Sequence, residues 1–276
     1  MPSLGELKKR LKSARTIEQL SGAMRSAATA KYLRLSSVLT AFTPYAEAVR
    51  EMSGFAGLSG GDTGAHAEKH VFILLSGNHG LCGGYHQELF NFFTGTALGF
   101  VRDPVIITCG KKAYDFCVSR GLPVLRSFEM PDVPACGDAR AIVSFLKESF
   151  TESGCVKISV VYQKFFNMLK SRPVSEVFPI KPAEDTEKAD PDGVLFIPDR
   201  PTAADELYSL SLNADMYKKL LSAASAAQAA TVVAMRSAYD NAKSSISGLE
   251  SRINRLRQAA VTASVLETSV GIKEQL

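Results

Sequence analysis

The sequence predicts an α/β fold: two long terminal helices paired antiparallel as a coiled coil, flanking a middle region built on a mainly parallel sheet. Three observations carry the prediction. Proline is absent between Pro2 and Pro44 and again after Pro201, which leaves both ends free to be helical because proline breaks helix interiors. Apolar residues in those ends recur at threes and fours. The stretch between them alternates short apolar runs with amphipathic helical patterns, the signature of a sheet covered by helices.

The N-terminal helix is placed within residues 1–55. Leu4, Leu7, Leu11, Ala14, Ile17, Leu20, Met24, Ala27, Ala28, Leu35, Val38 and Phe42 form its apolar seam, while Lys8, Lys9, Arg10, Lys12 and Arg15 occupy the other faces. The pattern runs for roughly twice the length of an ordinary amphipathic helix, which favours a coiled coil.

The middle region, 69–200, reads as strand and helix in turn. Val71 to Leu75, Pro104 to Thr108, Leu122 to Phe128 and Lys157 to Tyr162 are the strands; Tyr85 to Phe93, Lys111 to Arg120 and Ala139 to Phe150 are the helices. Ser175 to Ile180 and Val194 to Pro198 add candidate strands, with the polar Pro182 to Gly193 stretch as a loop between them.

The C-terminal helix occupies 204–276. Met216, Leu220, Ala223, Ala227, Ala230, Ala234, Ala238, Ala242, Ile246, Leu249, Ile253, Leu256, Ala260 and Ala263 step by three or four. At ~1.5 Å per residue such a helix approaches ~100 Å, too long to lie within one domain, so it projects. Its seam from Ala223 to Ala242 is nearly all alanine, which permits close approach but buries little area. Equal rises counted from exits near Phe42 and Ala204 set Met24 against Ala223 to Ala234. The same count uses up the first helix near Gly248 and leaves Arg252 onward as a single-helix tip. That tip carries Ile253, Leu256, Val261, Val265, Leu266 and Val270 without an intrachain partner.

Composition excludes several classes. Apolar residues at 46% and charged residues at 22% are those of a folding chain, and a net charge of +4 is too mild to argue for nucleic acid or a membrane surface. The 276 residues contain no apolar run near membrane-spanning length, so membrane association is expected only through another protein. The charged start has no secretory pattern. Five scattered cysteines without a C-x-x-C pair fit a reducing compartment, with neither a disulfide framework nor a zinc site.

Three places invite chemistry. Ser76 to Gly84 follows the first strand and precedes a helix, where a phosphate loop would sit, yet Tyr85 and His86 stand where such a loop needs Lys and Ser or Thr. The structural alternative is a tight turn that needs glycine. Cys82, near His79 and His86, invites a thiol nucleophile, but no third orienting group is placed, and a buried thiol is the commoner state. His66, His70, His79 and His86 cluster in sequence without ligand spacing, so no metal or cofactor is expected.

Taken together, these residues resemble the gamma subunit of the F-type ATP synthase over essentially the whole chain. Thr16 to Lys31 with Ala23-Met24 and Ala27-Ala28, Gly80-Leu81-Cys82-Gly83-Gly84, and Arg257-Gln258-Ala259-Ala260-Val261-Thr262 carry the likeness. Thr43 to Glu47, Ala234-Met235 and Asp240-Asn241 add to it. The resemblance implies a non-catalytic rotor shaft with a Rossmann-like middle domain, turning inside a ring of alpha and beta subunits. The epsilon subunit and the c-ring would lie at its base, and the complex at the cytoplasmic face of a bacterial-type membrane. It implies that Met24, Arg257, Gln258 and Thr262 face the beta subunits and that Gly80, Leu81, Cys82, Gly83 and Gly84 form a turn of the globular base. The sequence departs from the family pattern at Asn78, His79, His86, Thr231, Ala263 and Ser264. The cysteine pair of chloroplast relatives is missing, which implies no thiol switch. A nucleotide-binding enzyme and a free-standing coiled-coil scaffold are the alternative readings.

Overall fold

Side chains along one central strand divide between two cores, and that division fixes the architecture. In the computed structural model, which describes residues 3–55, 69–99, 101, 104–150, 156–179 and 199–273, this strand is β1 (Lys69–Leu75). Val71, Ile73 and Leu75 point to one face, Phe72 and Leu74 to the other, and all five are fully buried. Successive strand residues alternate sides, so an unbroken apolar run marks a strand covered on both faces.

β1 lies between β2 (Pro104–Cys109) and β4 (Val156–Asn167), parallel to both. β3 (Val124–Phe128) extends the sheet beyond β2, and β5 (Lys170–Val177) pairs antiparallel with β4, giving the order β3-β2-β1-β4-β5. The first four strands fall where the sequence placed them. β4 is longer than its apolar core, and β5 begins earlier than Ser175, because the two form a hairpin turning at Met168 and Leu169. The Pro182 to Gly193 loop and the Val194 to Pro198 strand lie outside the described residues.

One face carries α2 (Tyr85–Phe92), its π-turn continuation Phe93–Ala97, and α3 (Lys111–Ser119), with Leu89, Phe93, Ala113 and Cys117 packed on Phe72, Leu74, Ile106 and Val161. The other carries α4 (Cys136–Phe150) together with segments of the terminal helices α1 (Leu4–Phe55) and α5 (Arg200–Lys273). Ser3 and Glu6 start α1 as a reciprocal cap: the Glu6 N–H donates to Ser3 Oγ at 3.2 Å, and the Ser3 N–H to Glu6 Oε2 at 3.1 Å. Asp199 caps α5, accepting the Thr202 N–H at 3.0 Å, with Pro201 in the first turn where its missing donor costs nothing.

The chain divides into two compact units, Ala28–Thr231 and a second made of Met1–Ala27 with Val232–Leu276. In the first, α1 does not stop before Pro44. The proline sits on an exposed face and the helix continues to Phe55, burying Ala46 and Val49. Glu47 meets Lys218 at 3.2 Å and Phe42 packs on Tyr217, so α1 and α5 run antiparallel here.

In the second unit the buried α1 positions Leu7, Ala14 and Ser21 recur every seven residues. Ile17 and Leu20 are 53% and 58% exposed, so the seam bypasses both. A strict seven-residue repeat anchored at Leu7 turns them outward. Arg15 pairs with Glu250 at 2.7 Å, and Gly22 lies against the Tyr239 ring, which a Cβ on Gly22 would meet at 3.5 Å. Met24 is therefore level with Tyr239, not with Ala223 to Ala234. The count from Phe42 missed the thirteen-residue extension of α1 from Phe42 to Phe55, which takes up the early turns of α5. Cover on α5 also persists past Gly248, through Ile253 and half-buried Leu256.

Candidate functional site

In a parallel sheet the ligand crevice opens at the carboxyl ends of the strands, beside the strand from which the chain runs both ways. Here that strand is β1, and the loop leaving it is Ser76 to Gly84. Ser76 N–H donates to the Cys109 carbonyl at 2.8 Å and Gly110 N–H to the Phe128 carbonyl at 2.9 Å, tying three strand ends together. Gly110 has φ +95°, and a Cβ there would lie 2.4 Å from the Ser76 carbonyl oxygen, so only glycine fits.

The start of α3 has no donors to offer an anion. Its N–H groups at Lys111, Lys112 and Ala113 donate to Asn78 Oδ1 at 2.9 Å, the Gly77 carbonyl at 3.2 Å and Ser76 Oγ at 2.8 Å. Asn78 Nδ2 also donates to the Met130 carbonyl at 2.7 Å, a bond an aspartate could not make. Asn78 thus cross-links the loop both to the start of α3 and to Met130.

Farther along the loop, Leu81 and Gly83 take left-handed backbone at φ 65° and 59°. The turn drives Cys82 and Tyr85 inward, where they pack with Ala226 of α5, joined by Phe165, Ala227 and Ala230. Tyr85 donates its hydroxyl to the Ala223 carbonyl at 3.1 Å. Burial pushes the Cys82 thiol up, despite backbone N–H groups at Cys82 and His86 and the charge of Lys112 pulling it down. Cys82 is buried and its shift runs opposite to what a nucleophile needs, so the thiol reading gains no support. Burial holds the His86 imidazole below its ordinary value, and its Nε2 lies 3.0 Å from the His79 carbonyl. His70 sits elsewhere, 3.1 Å from Ser159 Oγ. Among the described residues, no three His, Cys, Asp or Glu side chains converge on a point.

The sequence matches the ATP synthase family over residues 3–273. It is 30% identical over 290 residues to the ATP synthase gamma chain of Chlorobaculum parvum, covering 98% of each chain. The chain belongs to the ATP synthase gamma-chain family. The gamma chain of Desulforamulus reducens is 26% identical over 275 residues, covering 97% of each. Among solved structures, a chain of the Euglena gracilis mitochondrial ATP synthase shares the fold with a TM-score of 0.72 at 15% identity, covering 99% of this chain and 94% of that one. A rotor chain of the same enzyme gives 0.67 at 14% identity.

For a gamma-chain member the informative surfaces are helical. Met24 is half-buried beside Tyr239, while Arg257, Gln258 and Thr262 are exposed on α5, Thr262 bonding back to the Gln258 carbonyl at 2.9 Å. From Arg257 to Ala263 every residue is exposed, and Val261 and Val265 are 64% and 62% exposed. Leu266 and Val270 are outside the described side chains. Within Gly80 to Gly84, Gly80, Leu81, Gly83 and Gly84 are exposed and Cys82 is buried. No helix among the described residues is long and apolar enough to cross a membrane.

Sequence reasoning missed the polar residues that join α5 to the sheet. Phe165 N–H donates to Ser222 Oγ at 2.9 Å, and buried Gln163 donates to the Tyr85 carbonyl at 3.4 Å. Lys219, only 7% exposed, binds Asp215 at 2.7 Å and Glu176 at 3.1 Å, and Glu176 also takes Lys164 at 2.8 Å. Charged and polar side chains on the α5 seam, Asp215, Lys219 and Ser222, were the available signal.

Proposed function

We propose that the chain is the central-stalk rotor of an ATP synthase, coupling ion flow through a membrane sector to ATP turnover on partner subunits. The observation that carries this reading is the family match over nearly the whole length. The partners are an alpha and beta head around the helical pair, and an epsilon subunit and c-ring at the base. The chain has no catalytic role of its own. It acts by presenting different faces to the beta subunits as it turns, shifting each among conformations through differential contacts. Met24, Arg257, Gln258 and Thr262 are the proposed contacts with the head, and Gly80 to Gly84 the proposed base turn. The proposed division is a helix within 1–55, a Rossmann-like domain within 69–200, and a helix from 204 to 276 ending in a single-helix tip. The complex sits peripherally at the cytoplasmic face of the membrane.

The exposed turns after Leu256 fit a surface that another protein covers. The turn of α5 seated in the crevice supports a role that needs no nucleotide of its own. Co-purification tests the proposal: the tagged chain should bring down alpha and beta subunits, and the complex should hydrolyse ATP. Recovery of the chain alone, or micromolar ATP binding by the pure chain in equilibrium dialysis, would count against it.

A further inference from the structure

β4 outruns its neighbour. Its last pair with β1 is Leu74 with Val161, yet the strand continues to Asn167. Beyond that point β1 supplies no partner, and the Phe165 N–H is taken by Ser222 Oγ of α5 at 2.9 Å. Across the same crevice Tyr85, at the start of α2, donates to the Ala223 carbonyl, and the Tyr85 carbonyl accepts Gln163 Nε2. Between these bonds lie Cys82 and Ala226, both buried. The place where a doubly wound sheet receives a ligand is thus occupied by one turn of α5, gripped from β4 on one side and α2 on the other.

We infer that Tyr85 and Ser222 are positioning residues that lock α5 against rotation about its own axis relative to the sheet, so that torque passes between the base and the shaft. Leu220 and Leu221 anchor α5 in the main core, but toward the crevice it presents Ala223, Ala226 and Ala227, whose methyl groups interdigitate shallowly and resist turning little. Directional bonds are a different matter. Turning α5 by one residue's worth of rotation, about 100°, carries Ser222 away from β4 and leaves a half-buried strand N–H without its partner, which costs free energy. The lock rests on the rotor reading for its purpose, but its mechanics belong to the chain alone.

The test has two arms, each using Tyr85→Phe and the double variant Tyr85→Phe/Ser222→Ala. In the full chain, with Cys136 and Cys155 replaced by serine, maleimide reaction at Cys82 reports loosening of α5. The double variant should react roughly tenfold faster than the parent, and Tyr85→Phe by a smaller factor. In the assembled membrane complex, ions pumped per ATP hydrolysed should fall about threefold in the double variant, while hydrolysis without a gradient stays within about twofold. Ser222→Thr, which keeps the hydroxyl, should restore coupling. An unchanged Cys82 rate overturns the lock, and so does an unchanged coupling ratio in both variants, or lost coupling without faster labelling. If the parent chain fails to assemble with alpha and beta subunits, the rotor reading falls, while the Cys82 arm still decides the lock.

Discussion

Two stretches of α5 have similar helical backbone and opposite surroundings. From Lys219 to Ala226 every side chain is buried, whereas from Arg257 to Ala263 every one is exposed. The first stretch is held by the sheet, α4 and the Ser76 to Gly84 loop, and its burial on all sides makes it part of a domain core. The second has no such neighbours among the described residues. Between them, from Val232 to Leu256, four of the 25 residues are buried and seven more half-buried, the stripe of a two-helix pair. Helix propensity therefore does not set the stability along α5; what surrounds each turn does.

The contrast is broken most severely at its rigid end. Gly110→Ala places a methyl 2.4 Å from the Ser76 carbonyl oxygen at a left-handed φ, and should cost about 3 kcal/mol or more. Calorimetry should show the Ala28–Thr231 unit losing its cooperative transition or melting far lower. A variant melting like the parent would mean the three strand ends are not tied as described.

The ionic cluster beside α5 comes next. Burial raises the Glu176 carboxyl, but the hydrogen bond from Lys164 and the charge and hydrogen bond of Lys219 outweigh it and hold the group down to about 2, from an ordinary 4.5. A carboxyl lowered on folding adds stability above its unfolded value and loses it as pH falls toward the folded one. Thermal stability should therefore drop between about pH 4.5 and 2, and Glu176→Gln should flatten that part of the profile. At pH 7 the variant should lose about 2 kcal/mol, because it leaves Lys219 short of a partner in a largely buried place.

The helical pair should respond mildly, and in the opposite direction. Gly22→Ala puts a methyl at ordinary contact distance from Tyr239, and Gly248→Ala meets nothing within 4 Å. Each should stabilise the pair by about 0.5–1 kcal/mol, through the helix preference of alanine over glycine. Circular dichroism melts of the full chain should detect the gain, and a loss at Gly22 would show the interface to be tighter than described. Smallest of all, Arg15→Ala removes an exposed pair with Glu250, worth at most about 0.5 kcal/mol and less in salt.

How far the sequence revealed this contrast depended on the periodicity available. β1, β2 and β4 were legible because both faces of each are buried, which writes itself as consecutive apolar residues. The long helices were legible from proline placement and from threes and fours. The seam of α1 was misread at Ile17 and Leu20, since the more apolar residues face outward while Ala14 and Ser21 face in. The exit near Phe42 falls short of the helix end because an outward-facing proline, Pro44, rides on a helix held by its neighbours. The Ser3 and Glu6 cap is legible in the sequence as Ser followed three residues later by Glu. The clamp on α5 was illegible because Tyr85, Gln163 and Ser222 are distant in sequence and form no motif until the fold assembles them.

Amide hydrogen exchange along α5, in the isolated chain and in the complex with alpha and beta subunits, tests the central claim most directly. In the isolated chain, amides from Lys219 to Ala226 should exchange only with unfolding of the base, and those from Arg257 to Ala263 should exchange orders of magnitude faster. On assembly the second group should become protected while the first stays as it was. Strong protection of Arg257 to Ala263 in the isolated chain, or none gained on assembly, would contradict the account.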